Sequence, residues 1–135
     1  MWHELKSQND IDAFMKSVAS FHDACITGLS YTSGTYVNDD NAIVMVTEPY
    51  IYITFHSQMA NFPKFEMELG LVDKFSINLH LDNSLEIYEA TFKKKDDGFY
   101  WYSDEYANGN SNYLVSLSDY PLARIATAGK RVNIK

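Results

Sequence analysis

Four apolar residues near the start of the chain recur at the spacing of one helical face. They are Ile11, Phe14, Met15 and Val18. Ser7 precedes them as a good N-cap, and Asp10 can reach back to it as in a capping box. The pattern therefore predicts a helix over Ser7–Ala19. A helix this short is marginal in isolation, so it must pack against the rest of the chain.

After Phe21 the apolar pattern changes from helical spacing to alternation, which is typical of strands. The sequence predicts strands at Ala24–Tyr31, Ala42–Thr47, Tyr50–His56, Lys64–Leu69, Lys74–Leu81, Leu85–Phe92, Phe99–Ser103 and Tyr113–Leu117. Turn-forming residues separate these strands, for example at Asn38–Asn41. The segment that follows Pro121 is ambiguous between a short helix and a final hairpin.

Short connections between the strands require antiparallel pairing, because parallel crossovers need a dozen residues or more. Strands such as Tyr50–Phe55 need apolar cover on both faces, and one helix cannot cover a whole flat sheet. We therefore expect a single α+β domain over residues 1–135. It consists of one N-terminal helix packed on a strongly curled, mostly antiparallel meander sheet or partial barrel of about seven to nine strands.

Length and composition are those of one folded domain: 135 residues, 46% of them hydrophobic and 15% aromatic. A single cysteine cannot form an internal disulfide, so no oxidising compartment is implied. The opening stretch MWHELKSQND has no apolar segment behind a basic start, and no apolar run approaches the roughly 18 residues that span a bilayer. We expect a soluble cytoplasmic protein.

Charge is distributed unevenly along the chain. Four of the 11 Lys and Arg residues lie in residues 121–135, a segment without Asp or Glu, so residues 1–120 carry a formal charge of −11. An acidic surface of this kind repels phosphate backbones, which argues against nucleic-acid binding. It suits a basic protein partner, although solubility alone would also explain it.

The usual motifs for phosphate and metal binding are not met. Gly129-Lys130 lacks the glycine that a P-loop needs five positions earlier, and Arg131 stands where Ser or Thr is required. Asp39-Asp40 is followed neither by the glycine nor by the glutamate of a calcium loop. The four histidines are too far apart for a helical ligand pair, and no paired cysteines exist for zinc. The sequence indicates no metal site and no cofactor.

The stretch His22-Asp23-Ala24-Cys25 brings a histidine, an acid and the only cysteine together. A hydrolase would use Cys25 as nucleophile and His22 as base. In an extended segment, however, Cys25 and Asp23 share one face and His22 points to the other. A structural interpretation is favoured, with His22 and Asp23 ending the helix region and Cys25 acting as a small buried hydrophobe.

A second concentration of side chains lies in the hairpin GFYWYSDEY. Alternation places Phe99 and Trp101 on one face, and Tyr100 and Tyr102 on the other. The aromatic and acidic end of this strand could anchor a protein partner or hold a sugar ring. The residues expected to bind a partner are Tyr100, Tyr102, Asp104, Glu105 and Tyr106. The alternative is that these aromatics only stabilise a strand.

The chain resembles a group of small bacterial proteins of the Firmicute type, to which no activity is assigned. The resemblance rests on Trp2, Leu5, Asp10-Ile11, Phe14, the block Phe21–Ile26, Tyr31, Ser33-Gly34, Tyr36-Val37 and the following acidic turn. A hairpin similar to Gly98–Trp101 also occurs in the group. Small acidic α+β proteins of this kind are often suspected of being immunity proteins, and by analogy of fold the resemblance implies such a role for this chain.

We therefore expect a non-enzymatic acidic domain that binds a basic protein. The alternative is a small-molecule or carbohydrate binder that uses the concave face of the sheet, with Tyr50, Tyr52, His56 and Trp101 as the lining residues. A hydrolase based on Cys25 and His22 is the third hypothesis. The sequence leaves the oligomeric state open, and a paired edge strand would make a homodimer unsurprising.

Overall fold

The computed structural model describes residues 2–45, 49–60, 62–77, 86–95, 98–103 and 113–128. The elements are β1 (Trp2–Glu4), α1 (Gln8–Ser17), a 3₁₀ turn (Ala19–Phe21), β2 (Ala24–Thr32), β3 (Tyr36–Val37), β4 (Ile43–Val44), β5 (Tyr50–Ser57), β6 (Lys64–Ile77), β7 (Ala90–Lys95), β8 (Gly98–Ser103) and β9 (Tyr113–Ala128).

The fold is one helix on a strongly curled antiparallel sheet that forms a half-barrel, which confirms the predicted fold class. The main sheet has the order β2-β5-β6-β9-β8-β7, and β1 pairs with the last part of β9 on the side opposite β6. β3 and β4 form a separate two-stranded ribbon. The last strand therefore lies in the middle of the sheet, where it joins the β5-β6 hairpin to the β7-β8 hairpin.

Helix α1 begins as the sequence predicts. The Ser7 side chain accepts a hydrogen bond from the Asp10 backbone N–H at 3.2 Å, and the Asp10 carboxylate accepts one from the Ser7 N–H at 3.1 Å. Both halves of the capping box are present. Ile11 and Phe14 are the buried residues of the helix, which places its apolar face on the sheet.

Two strands are longer than the sequence pattern predicts. The predicted strands Lys64–Leu69 and Lys74–Leu81 belong to one strand as far as Ile77, and residues 78–81 lie outside the described residues. The interruption between them is a bulge with Leu71 in the left-handed region (φ 56°), so the strand bends without ending. β9 likewise runs through Pro121 to Ala128, so residues 122–128 belong to a strand and not to a helix, and residues 129–135 lie outside the described residues.

Smaller differences occur elsewhere. Among the described residues of the predicted strand Ala42–Thr47, Ile43–Val44 forms a strand. Among those of the predicted strand Leu85–Phe92, β7 begins at Ala90, after an isolated bridge at Ile87. β1 was not predicted, because three residues are too few to show alternation. The sequence also predicts a turn at Glu48-Pro49 and a loop at Asp104–Asn112, and these lie partly and wholly outside the described residues.

Aromatic rings form the centre of the core between α1 and the sheet. Phe55 and Phe65 are stacked with centroids 4.9 Å apart, and Phe21 meets Phe55 edge-on at 5.0 Å. Trp101 packs edge-on against Phe21 and Phe55 at 5.3 and 5.7 Å. Offset and edge-to-face contacts of this kind contribute beyond the apolar area that they bury. We call this side of the sheet the covered face.

The opposite side of the sheet, here called the open face, carries the alternate residues. Along β5, Ile51, Ile53 and Phe55 are buried, whereas Tyr52 and Thr54 are half-buried. Among the described residues, no helix is long and apolar enough to cross a membrane.

Candidate functional site

The tyrosines of β8 lie where alternation places them. Phe99 and Trp101 are buried on the covered face, and Tyr100 and Tyr102 are half-buried on the open face. Asp104, Glu105 and Tyr106, the acidic end of the predicted partner-binding set, lie outside the described residues.

A basic residue of β7 lies beside the described tyrosines of β8. Lys93 of β7 is the register partner of Tyr100, and its Nζ lies 5.5 Å from the centroid of the Tyr102 ring. A cation at this distance from an aromatic ring makes a favourable cation–π contact. The face of Tyr102 is therefore already engaged by a lysine of the same chain, so this ring is a poor place for a basic partner.

The predicted ligand-lining set is divided between the two faces of the sheet. Tyr50, Tyr52 and His56 alternate with the buried residues of β5 and lie on the open face. Trp101 is only 1% exposed and belongs to the aromatic core on the covered face. Its indole Nε1 is buried and has no hydrogen-bond partner among the described residues. Trp101 therefore cannot line the same site as the other three, because the sheet separates them.

The most distinctive cluster on the open face joins Tyr52 to three glutamates and a tryptophan. We call it the Tyr52 patch and define it as Trp2, Glu4, Tyr52, Glu66 and Glu68. The Trp2 and Tyr52 rings meet edge-on with centroids 6.1 Å apart. Both are half-buried, as are Glu66 and Glu68. The patch therefore combines partly desolvated aromatic surface with carboxylates.

Strand register explains how these residues come together. Tyr52 pairs with Glu68, and the next residues along the same face, Thr54 and Glu66, pair with each other. Glu66 of β6 is also the register partner of Ala126 in β9, and Ala126 is the register partner of Trp2 in β1. The backbones of Trp2 and Tyr52 are therefore three strand spacings apart, about 14 Å. Ala126, which has a small side chain, lies between Trp2 and Glu66 in this register.

Electrostatics around the Tyr52 phenol is strongly negative. A hydrogen bond to the Glu66 carboxylate, together with burial and the negative charges of Glu66 and Glu68, raises the pKa of Tyr52 to about 12. The neutral phenol is favoured because its O–H donates to the carboxylate, and because a phenolate would face two negative groups. The same field that disfavours a phenolate attracts a cation.

Sequence reasoning found only part of this patch. Tyr52 was expected in a ligand site, and the alternation of Lys64–Leu69 places Glu66 and Glu68 outward on one face. Trp2 was missed as a site residue. Pairing of β9 with β6, which brings β1 close to β5, has no signal in the local pattern.

A second candidate site is an open cleft at the end of the sheet where β2 begins. We call it the Cys25 cleft. Its volume is about 610 Å³, and it is lined by Asp23, Ala24, Cys25, His56, Ser57, Gln58, Pro63, Lys64 and Glu86. The lining mixes carboxylate, thiol, imidazole, amide and ammonium groups, so the cleft offers several hydrogen-bonding partners to a small polar ligand.

The cysteine of this cleft is placed differently from the prediction. Ala24, rather than Cys25, is buried at the start of β2, and Cys25 is half-exposed on the open face. Its register partner across the β2–β5 ladder is His56. His22 instead pairs with Asp23, with Nδ1 and Oδ2 2.9 Å apart. The expectation that Cys25 is a core residue is therefore wrong. The use of His22 as a base for Cys25, which the sequence already disfavoured, is not the arrangement found.

The turn that leads into the cleft has an unusual backbone. Ala19, Ser20, Phe21 and Asp23 all have φ between 53° and 63°, in the left-handed region. Such positions cost free energy in residues other than glycine. Hydrogen bonds hold the turn in place: the Asp23 N–H donates to the Ile87 carbonyl at 2.9 Å, and the Asp23 carbonyl accepts from Gln58 N–H at 3.2 Å.

The described residues contain no group of three or more His, Cys, Asp or Glu side chains that could hold a metal ion. Comparisons with protein-family models, with curated proteins and with solved structures found no match to this chain.

Proposed function

We propose that this protein is a non-enzymatic interaction domain that binds a basic segment of another protein through the Tyr52 patch. The observation that carries the proposal is the Trp2–Tyr52 ring pair beside Glu66 on an exposed sheet face. An aromatic pair flanked by carboxylates suits a Lys or Arg side chain, which can lie against a ring while its charged end meets an acid.

Glu66 is the carboxylate on which the proposal depends most. Glu4 and Glu68 share a register partner in Arg124, whereas the register partners of Glu66 are Thr54 and Ala126. Glu66 already accepts a hydrogen bond from Tyr52, and a carboxylate has capacity for further donors. A guanidinium beside Glu66 would also contact the Trp2 and Tyr52 rings.

The contrast with β8 supports this choice of surface. At Tyr102 a lysine of the chain itself lies over the ring, while at Tyr52 the neighbouring charges that act on the phenol are negative. Both tyrosines are half-buried on the open face, so the difference between them is mainly one of charge. A basic partner is attracted to Tyr52 and repelled at Tyr102.

The test is a binding titration with a synthetic oligo-arginine peptide, followed by calorimetry. Glu66→Gln keeps the size of the side chain but removes its charge, so we expect the dissociation constant to rise by about tenfold. Asp73→Asn is the matched control, because Asp73 is an exposed acid elsewhere on the same strand. Trp2→Ala should also weaken binding, and Tyr102→Ala should not.

Equal losses in Glu66→Gln and Asp73→Asn would contradict the proposal, because they would mean that the peptide responds only to overall charge. Circular dichroism and the midpoint of urea unfolding establish that each variant is folded.

The Cys25 cleft supports a second candidate function, the binding of a small polar molecule. The observation in its favour is the convergence of polar side chains in an open cleft of about 610 Å³. A screen of small polar compounds by ¹⁵N-detected NMR would test it. Shifts at Cys25 and His56 that His56→Ala abolishes would support this function, and compounds that shift only residues outside the cleft would argue against it.

A further inference from the structure

The Cys25 cleft is lined by charged groups of both signs, and strand pairing fixes their order. Cys25 of β2 is the register partner of His56 in β5, and His56 is the register partner of Lys64 in β6. All three side chains line the cleft. A thiol, an imidazole and an ammonium group therefore follow one another across three neighbouring strands.

A carboxylate extends this line on the other side of β2. The Ile87 N–H donates to the Ala24 carbonyl at 2.7 Å, in an isolated antiparallel bridge. The residue before Ile87 therefore lies beside the residue after Ala24, and Glu86 and Cys25 both line the cleft. We call the whole line the polar row and define it as Glu86, Cys25, His56 and Lys64.

The two ends of the polar row carry opposite charges. Glu86 and Lys64 are separated by three strand spacings, about 14 Å between their backbones. Asp23 also lines the cleft, but it precedes β2 and so lies nearer to Lys64 across the sheet than Glu86 does. The cleft is therefore negative on the side of Glu86 and positive on the side of Lys64.

The side chains of the polar row can all be reached by a ligand. His56 and Lys64 are exposed, and Cys25 and Glu86 are half-buried. Between the charged ends, the imidazole of His56 and the amide of the neighbouring Gln58 can both donate and accept hydrogen bonds. A peptide group, which has one donor and one acceptor, is matched by such partners.

Opposite charges at the two ends favour a zwitterion. A ligand with one charge would meet an unlike charge at one end and a like charge at the other, whereas a zwitterion meets an unlike charge at both. The formal charge of −7 on the chain repels anions as a whole, but a zwitterion has no net charge to repel.

The separation of the ends also limits the length of the ligand. If charged hydrogen bonds take about 3 Å at each end, about 8 Å of the 14 Å remains between the two charges of the ligand. An extended peptide spans about 3.3–3.6 Å per residue, so two or three residues fit and a single amino acid is too short. Both ends of an unmodified peptide are charged near pH 7.

We propose that the Cys25 cleft binds a short peptide of two or three residues by its two free ends. Its α-ammonium group lies at Glu86 and its α-carboxylate at Lys64. This inference rests on the second candidate function, the binding of a small polar molecule in the cleft. It is independent of the Tyr52 patch, which lies elsewhere on the open face.

NMR titration of the isotope-labelled chain with triglycine tests the proposal. Glycine, N-acetyl-triglycine and triglycinamide are the matched ligands, because they lack the length, the ammonium group and the carboxylate respectively. We expect triglycine to shift the amides of Cys25 and His56. We expect each of the other three ligands to bind about tenfold more weakly or worse, because each loses a charged contact at one end of the polar row.

Two variants assign the ends of the peptide. Lys64→Gln should abolish the preference for triglycine over triglycinamide, and Glu86→Gln should abolish the preference over N-acetyl-triglycine. Lys74→Gln and Glu89→Gln are the matched controls, because they remove the same charges from exposed residues outside the cleft. Both controls should bind triglycine as the wild type does, and circular dichroism establishes that each variant is folded.

Three results would overturn the proposal. If the capped peptides or glycine bind in the cleft as tightly as triglycine, the ligand class is wrong, while the second candidate function stands. If no peptide shifts the cleft residues, the cleft does not bind peptides, and the compound screen then decides whether it binds any small polar molecule. If triglycine shifts the Trp2 indole instead, the peptide binds at the Tyr52 patch.

Discussion

At the scale of single residues, Tyr52 is the most informative position on the open face. Its phenol donates to the Glu66 carboxylate and faces the charge of Glu68, so its pKa lies near 12 rather than 10. The ionisation of this one group therefore reports directly on the electrostatics that the proposed function requires.

Glu66→Gln should lower the pKa of Tyr52 from about 12 toward its usual value, because the variant removes the accepting carboxylate and its charge. Tyrosinate absorbance measured during alkaline titration follows the ionisation, and subtraction of the Tyr52→Phe curve isolates Tyr52 from the other nine tyrosines. An unchanged difference curve in Glu66→Gln would show that the hydrogen bond is absent in solution.

The same shift has a consequence for stability. Because the folded-state pKa is raised, the folded chain holds the proton more tightly than the unfolded chain does. The stabilising contribution is complete below about pH 10 and is lost as the pH rises from about 10 to about 12. Tyr52→Phe should lack this part of the alkaline loss of stability.

Cys25 should react with a thiol reagent such as iodoacetamide while the chain is folded, because it is half-exposed at the open cleft. Mass spectrometry should find one label per chain under native conditions, at a lower rate than in urea. Cys25→Ser is the control, since it removes the only cysteine of the chain and should take no label. Protection of Cys25 until the chain unfolds would contradict its position in the structure.

Individual residues were predictable where alternation alone decides their face. Tyr100, Tyr102 and Tyr52 lie on the face opposite the core residues, as their positions in the strands require. The burial of Cys25 was predicted wrongly. The first buried residue of β2 is Ala24, so alternation puts Cys25 on the opposite face. Contacts such as Trp2 with Tyr52 depend on the register of three ladders, which no local pattern contains.

At the scale of elements, the start of α1 depends on one short network. Besides the capping box, the Lys6 backbone N–H donates to Oδ2 of Asp10 at 2.9 Å. These backbone hydrogen bonds hold the pKa of Asp10 below its usual value of 3.8. The carboxylate form of Asp10 is therefore the one that stabilises the helix.

Ser7→Ala should lower the free energy of unfolding by about 1 kcal/mol, the usual cost of losing an N-cap side chain. Urea unfolding followed by circular dichroism measures this difference. The contribution of Asp10 should be present above about pH 4 and be lost as the pH falls below 3.8 through the lower folded-state pKa. Asp10→Asn should flatten this acid dependence, and an equally steep dependence in the variant would contradict the assignment.

Elements with a strong local signal were predicted well. The capped, periodic helix and the alternating strand β5 are found within one or two residues of the expected bounds. β6 was predicted as two strands because Gly70 and Leu71 interrupt the alternation, whereas the bulge lets pairing with β9 continue on both sides. Pro121 suggested a break, but β9 contains it at the place where its register with β6 shifts.

At the scale of the whole molecule, charge should determine how fast a basic partner associates. With a formal charge of −11 on residues 1–120, encounter with an oligo-arginine peptide should be electrostatically steered. The association rate constant should fall steeply as salt is added, while the dissociation rate constant changes little. Stopped-flow fluorescence at several salt concentrations measures both constants.

The Trp2 ring should affect the dissociation rate constant of the peptide rather than its association rate constant. Trp2→Ala removes a ring that a bound peptide would contact, so dissociation should become faster while association is almost unchanged. An association rate constant that does not respond to salt would contradict electrostatic steering.

The overall fold class followed from the sequence because one helix and many short strands permit few architectures. The central position of β9 in the sheet did not follow from the sequence.

The most direct test of the account is the location at which a cationic probe binds. An isotope-labelled chain titrated with the oligo-arginine peptide gives this location from backbone and indole NMR shifts. We expect the largest shifts at the Trp2 indole and at the amides around Tyr52 and Glu66, and we expect Glu66→Gln to reduce them strongly. Shifts centred on Tyr100 and Tyr102, or spread evenly over the acidic residues, would contradict the proposed binding surface.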